Sequence, residues 1–301
     1  PYYKNLTMRF VTEASSRAIE AETGNADIVC NIASKDIETV KAAEGINFVS
    51  EAGAQTVFLI CNTQLAPLDN PLVREAIWYA VDVDSGIKLA YGDFGFRAED
   101  WVCPGIKGED PERAGKYFPT RDVEKAKELM EAAGYNDGNR LTLKVAAGLM
   151  DSIRQAAVVL QQQLAEIYID LEITNLESGE YVDIWGKMST PEAGFDLMIV
   201  NDGAGTDPNR SISFFFGTGA SANVFGFSNE RVDELCAQGI ATTDESKREE
   251  IYNEAQLICI DDCTKICIAS PMKYFVTASY VEGFAPSSAD ASNFRDTYLA
   301  Q

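Results

Sequence analysis

The sequence predicts an α/β protein built from two sets of alternating strands and helices, and three observations carry that expectation. Short apolar runs and amphipathic runs alternate over residues 6–62 in the order βαβαββ, and a second alternating set fills residues 120–203. The chain has 301 residues, more than a single core ordinarily serves before a protein divides at ~250–300 residues. Hydrophobic residues make up 46% and charged residues 24%, the balance of a chain that folds.

In order, Leu6 to Val11 alternates like a strand, and Ser15 to Glu22 reads as a helix with Ser15 or Ser16 as its cap and Gly24 as its stop. NADIVCNI is a short strand, Asp36 to Ala43 a helix, INFVSEA a strand and QTVFLICNT a buried one. In NPLVREAIWYAVDVDSGI, Val73, Ile77, Ala80 and Val81 share one helical face, Pro71 suits the first turn, and the run stops in an acidic turn. Arg74 precedes Trp78 by four residues, a spacing that lets the guanidinium cover the indole at the rim of a core helix. YGDFGFRAEDWVCPGIKGED is an aromatic, glycine-rich loop.

TRDVEKAKELMEAAGY is a helix capped by Thr120, with Ala126, Leu129, Met130 and Ala133 inward and Gly134 ending it. LTLKVAA, YIDLEITNLE and FDLMIVND are strands, separated by the helices SIRQAAVVLQQQLAEI and EYVDIWGKM, whose Tyr181 and Trp185 read as packing. Residues 202–226 mix glycine and aromatics without period, and a loop longer than ~12–15 residues points to function. Read as extended backbone, Phe214 and Phe216 would be buried together and Phe215 left free. NERVDELCAQGIAT and DESKREEIYNEAQLICIDD are helices opened by Asn or Asp, and CIASPMKYFVTASYVEGF returns to strand.

Charge and composition exclude several functions. With 25 basic and 47 acidic residues the net charge is −22, so a phosphate backbone is repelled and nucleic acid is not an expected partner. The chain has no histidine, which removes the commonest general base, the commonest zinc ligand and any Ser-His-Asp scheme. A hydrolase would have to use a carboxylate pair, and no spacing singles one out. Seven cysteines are an odd number, and Cys259, Cys263 and Cys267, spaced by four, read either as a thiolate cluster or as small buried apolar residues. The lack of a CxxC pair favours the second, and no metal or other cofactor is expected. Unpaired thiols argue against a strongly oxidising compartment, or for an anaerobic source. No run reaches the ~20 apolar residues of a membrane span.

Taken in order, NPLVREAIWYAVDVDSGI, VEKAKELMEAAGY with DG after it, LTLKV with VVLQQQLAEIYIDLEI, FDLMIVND followed by DP, SNERVDELCAQGIATTDESKREEIYNEAQLI and YVEGFAPS resemble the extracellular solute-binding proteins of family 5. These are the dipeptide-, oligopeptide- and nickel-type receptors of bacterial ABC importers, and the likeness runs from about Lys4 to Leu299. It implies a fold of the periplasmic-binding-protein type II kind: two α/β lobes, the first incomplete because the family's proteins carry a long segment before the point where this chain starts. It implies residues 1–64 in the first lobe with 272–301 returning to it, and 65–271 as the second lobe.

Function follows from the same resemblance. It implies a non-enzymatic receptor that captures a small, peptide-like solute between hinged lobes and delivers it to a membrane permease. The parent would be a monomer, extracellular or periplasmic, lipid-anchored through its earlier part. Asp202 takes the role of the family's anchor for the ligand amino group, Asp207 matches its acidic-Pro pair, and Arg154 is the candidate for the ligand carboxylate. The aromatic loops add Phe94, Phe96, Trp101 and Phe215. The alternatives are a carboxylate-dependent hydrolase, an oligosaccharide or other solute receptor, and a sensor domain of the same fold. Nickel is disfavoured by the missing histidine.

Overall fold

The computed structural model describes residues 2–53, 55–97, 101–102, 120–148, 150–203, 207–286 and 294–300. The chain opens extended, without the ladder expected for 6–11: among the described strands none pairs with it, Phe10 is 94% exposed, and Arg17 ties the stretch down through the Val11 and Thr12 carbonyls at 2.7 and 2.8 Å. Helix α1 (Ala14–Glu22) buries Ala18 and Ala21, and starts after Glu13, one or two residues before the expected serine caps. Strand β1 (Ile28–Cys30), helix α2 (Ile37–Lys41) and strand β2 (Ile46–Ala52) follow. Strand β3 (Gln55–Cys61) is buried from Thr56 onward, as its unbroken apolar run requires of a strand covered on both faces.

Helix α3 (Pro71–Ala80) is capped by the Asn70 side chain, which accepts from the Leu72 N–H at 3.0 Å. Its Arg74 is buried rather than at the rim. Nε donates to the Asp262 carbonyl at 3.0 Å, Nη1 to the Leu68 carbonyl at 3.0 Å, and Nη2 to Asp262 Oδ1 at 3.1 Å. The acidic stretch read as a turn opens another helix: Asp82 caps α4 (Val83–Tyr91) by accepting from Ser85 N–H at 3.1 Å, and strand β4 (Gly95–Phe96) comes next. Helix α5 (Val123–Ala132) is capped by Asp122, not Thr120, with Ala126, Leu129 and Met130 inward.

Then come β5 (Leu141–Ala147), α6 (Asp151–Ala165), β6 (Ile169–Asn175), α7 (Ser178–Lys187) and β7 (Leu197–Gly203). The stretch read as loop contains two single-turn helices, α8 (Pro208–Ser211) and α9 (Ser213–Phe216). Being helical, it does not alternate: Phe215 and Phe216 are buried and Phe214 is the half-exposed ring. Helices α10 (Glu230–Ala241) and α11 (Glu245–Asp261) carry the expected Asn229 and Asp244 caps. The last strands are β8 (Lys265–Ala278), β9 (Val281–Glu282) and β10 (Tyr298–Leu299).

One sheet runs in the order β1-β8-β3-β7-β5-β6, with β2 and β4 also on β8. The 14-residue β8 serves two regions. Its first part, Lys265 to Ala269, pairs with β3, and its last part, Met272 to Ala278, pairs with β2. Two hydrophobic clusters follow that division. The larger holds β3 and elements from Leu68 to Ala269; the smaller gathers Ala18, Val29, Ile37 and Val40 around Val276. β3 packs with the larger cluster, so the break between clusters falls between β2 and β3. At that break Gly53 lies so close to Pro271 that a Cβ would sit 2.5 Å from its carbonyl oxygen.

Candidate ligand-binding site

β5 is parallel to both β6 and β7, so these strands end together, at Ala147, Asn175 and Gly203. Ligands of open α/β sheets sit outside such carboxyl ends. β3 runs the other way, which brings its first residues to the same edge: Thr56 lies opposite Asp202 and Gln55 opposite Gly203. Thr56 Oγ1 lies 3.4 Å from Ser270 Oγ, so this edge also meets the point where β8 passes between the clusters.

A cavity of about 340 Å3 opens at this edge between α7, the end of β7 and the helical turns α8 and α9. Its wall on α7 is Tyr181, Val182 and Trp185, neighbours on one helix face. Tyr181 is pressed onto the exit of β5: a Cβ on Gly148 would meet its ring at 2.8 Å, so only glycine fits there. Burial pushes the Tyr181 phenol well above its ordinary value, and its hydroxyl lies 3.4 Å from the Ile199 carbonyl, to which it donates. On the other side the Arg210 guanidinium stands 3.8 Å over the Phe214 ring, within cation–π range.

Beneath them Phe215 contacts Phe58 at 6.5 Å, and the Lys265 ammonium lies 3.5 Å from both ring centroids. Asn201 completes the rim. Its Nδ2 faces the Met150 sulfur at 3.9 Å, a weak acceptor, and its Oδ1 is buried without a partner among the described residues. None of the described cavity-lining residues is a carboxylate, and no three Cys, Asp or Glu among the described residues converge as metal ligands would.

The sequence-predicted residues are distributed as follows. Asp202 is on β7 at the edge, two places before the described strand pairing with Gln55 ends; its side chain lies outside the described residues. Asp207 caps α8 through the Asn209 N–H at 2.9 Å and forms a two-toothed pair with Arg248 at 2.7 Å on each oxygen. That guanidinium holds its carboxyl below the usual range. Arg154 stands in the first turn of α6 with Glu177 at 4.0 Å, and its Nε has no described partner. Phe215 lines the cavity from the core side. The structure thus brings Arg154, Asp202, Asp207 and Phe215 to one edge.

The remaining aromatics lie elsewhere. Trp101, 1% exposed, stacks on Phe216 at 4.6 Å inside the larger core. Phe94 packs on the smaller cluster, edge-on to Phe48 and Tyr274 at 6.1 and 5.6 Å, and Phe96 pairs with Ser270 in β8. Sequence reasoning passed over Arg210, Asn201 and Phe214, and treated Tyr181 and Trp185 as packing. The four-residue spacing of Tyr181 and Trp185 on a helix that follows a strand end was the available signal.

The cysteines are small buried residues for the most part. Cys61, Cys236, Cys259 and Cys267 are buried, Cys263 is half-buried in a turn, Cys30 is exposed, and Cys103 lies outside the described residues. Burial pushes the Cys61 thiol up to about 12 and those of Cys259 and Cys263 well up, which removes thiolate character. No helix among the described residues is long and apolar enough to cross a membrane.

Comparison with known proteins places this edge in context. The family model for bacterial extracellular solute-binding proteins, family 5 Middle, matches residues 1–223. The chain is 26% identical over 308 residues to a glutathione-binding protein, GsiB, of Pectobacterium atrosepticum, covering 100% of this chain and 59% of that protein. It is 26% identical to the dipeptide-binding protein of Escherichia coli, with 99% and 56% covered. Among solved structures, the periplasmic binding protein DppA of Helicobacter pylori in complex with peptide STSA superposes with a TM-score of 0.84 at 25% identity over 97% of this chain and 56% of that one. A dipeptide-binding protein of Pseudoalteromonas in complex with Met-Leu gives 0.82 at 21% identity, with 96% and 57% covered. The chain therefore spans a little under three fifths of the length of these relatives, and its fold is that of the type II periplasmic binding proteins. With the family model matched through residue 223, this chain belongs to the bacterial extracellular solute-binding proteins of family 5.

Proposed function

We propose that this chain is the C-terminal portion of the substrate-binding component of an ABC importer, and that it contributes one wall of a cleft that captures short peptides for a membrane permease. The observation that carries the reading is the cavity at the carboxyl ends of β5, β6 and β7, beside the crossing of β3 and β8. The relatives described as dipeptide- and glutathione-binding support the choice of peptide. The cavity is mostly apolar with a few polar groups at its rim, as a ligand site requires, and its walls hold no described pair of carboxylates for a hydrolase.

In this reading the lobes divide between β2 and β3 and again at Ser270–Pro271 of β8, earlier in the chain than residue 64. The clusters then belong to different lobes, and opening and closing consist of rotation about those crossing strands, with ligand favouring the closed form because only there does it touch both walls. Asp202 anchors the peptide amino group and Arg154 faces its carboxylate end. Asp207 acts indirectly, by fixing α8 and so Arg210. The receptor works as a monomer outside the cytoplasmic membrane, held by a lipid on the part of the parent that precedes this chain.

A thermal-shift screen of the full-length protein against di- to hexapeptides, oligosaccharides and metal chelates tests this. A peptide-dependent rise in melting temperature that Asp202→Ala loses is expected. A rise from a sugar or chelate alone discards the peptide reading.

A further inference from the structure

The cavity beside α7 has a shape and lining that select among peptides, and this inference rests on the peptide-receptor reading above. Three features decide the chemistry. Its walls are apolar rings and a branched side chain, Trp185, Phe214 and Val182, so a group entering it leaves water for hydrocarbon. The opposing wall is the Arg210–Phe214 pair at 3.8 Å, a broad surface on which an aromatic ring can stack. The floor does not fold into the space, because Phe215 is held from behind by Lys265 at 3.5 Å and by Phe58. The empty volume of about 340 Å3 is therefore preformed and large enough for an aromatic side chain.

At the rim, Asn201 Oδ1 is buried with no donor among the described residues, while its Nδ2 meets only a thioether in the described contacts. A buried acceptor left unmade is costly, and an incoming N–H relieves it. Asn201 and the cavity are contiguous, Asn201 being itself a lining residue. A donor directly beside an apolar group is the pattern of one peptide residue: backbone N–H, then side chain. We propose that this cavity is a side-chain subsite for a bulky apolar residue, best filled by an aromatic one, whose backbone N–H donates to Asn201 Oδ1. Val182 and Trp185 on α7 then set specificity at that position of the peptide.

The test is calorimetric titration of the full-length protein with Ala-Ala-Ala and with the three peptides in which one alanine is replaced by phenylalanine. Phenylalanine at one position should tighten binding by about tenfold or more, the lower end of what burying such a side chain yields. Val182→Trp fills the cavity from a helix surface where Val182 is 67% exposed, so the variant retains its fold. In it the affinity ratio of that phenylalanine peptide to Ala-Ala-Ala should fall to about one. If no position gains, or if the gain survives Val182→Trp, the subsite is overturned while the receptor reading stands. If none of the four peptides binds, the receptor reading fails and the subsite with it.

Discussion

Replacing Arg74 with methionine keeps the length of the side chain and removes its charge, and the structure indicates what that would cost. The guanidinium is buried, with a side-chain exposure of 6% against 34% for Asp262, and it joins the loop before α3 to the end of α11. Its loss leaves the Leu68 and Asp262 carbonyls short of a donor and the Asp262 carboxylate without its counter-ion. Breaking a buried pair from one side costs about 3–5 kcal/mol, and the partial exposure of Asp262 favours the lower end. For 301 residues the unfolding entropy is about 0.6 kcal/mol/K, so a loss of about 3 kcal/mol lowers Tm by about 5 °C. Because the remaining defect is one unpaired carboxylate, Arg74→Met with Asp262→Leu should recover much of the loss.

The sign with pH is fixed by the same argument. Burial already raises the Asp262 carboxyl despite Arg74, and without the guanidinium it rises further. A carboxyl whose folded pKa exceeds its unfolded value stabilises the folded form as pH falls, so the deficit of Arg74→Met should shrink below neutral pH. Calorimetric melts of wild type, both single variants and the double variant between pH 5 and 8 would read this. A Tm within about 1 °C of wild type, or a double variant no better than Arg74→Met, refutes the reasoning.

Two further outcomes follow from the edge of the sheet. Asp207→Ala removes both the α8 cap and the Arg248 pair, and should cost about 1–2 kcal/mol, since the pair is half-exposed and the cap is the firmer part. Because Arg248 depresses the Asp207 carboxyl, that contribution is present above the unfolded value near ~3.9 and disappears as pH falls through the folded one; urea melts of the two proteins at pH 7 and pH 3 should differ in the first case and converge in the second. Among the described cysteines, Cys30 should react with a thiol reagent at the rate of a free thiol while Cys61 and Cys259 wait for unfolding, which mass spectrometry of labelled peptides resolves; fast labelling of Cys61 in the native protein would contradict its burial.

Much of the scaffold was legible because it is written locally. The unbroken run of β3, the inward residues of α5 and the Asn229 and Asp244 caps depend on neighbours a few positions away. What escaped depends on distance along the chain. Arg74 and Trp78 have the spacing of a surface pair, yet Arg74 is drawn to Asp262, 188 residues on, where it satisfies a carbonyl and a carboxylate together. Asp207 looks like a ligand group until Arg248, 41 residues away, is seen to hold both its oxygens. The acidic turn after α3 was ambiguous for a local reason: Asp82 serves equally to end one helix and to cap the next. The phenylalanine triplet was assigned a strand period although α8 and α9 hold it helical, and so the ring that faces the cavity, Phe214, was missed.

The central claim is that two lobes hinged where β2, β3 and β8 cross close on a peptide. Small-angle X-ray scattering of the full-length protein, with and without a saturating short peptide, measures that closure. A radius of gyration that falls when peptide is added, and does not fall with a non-binding peptide, is the predicted result. A peptide that binds and leaves the radius unchanged would contradict the account.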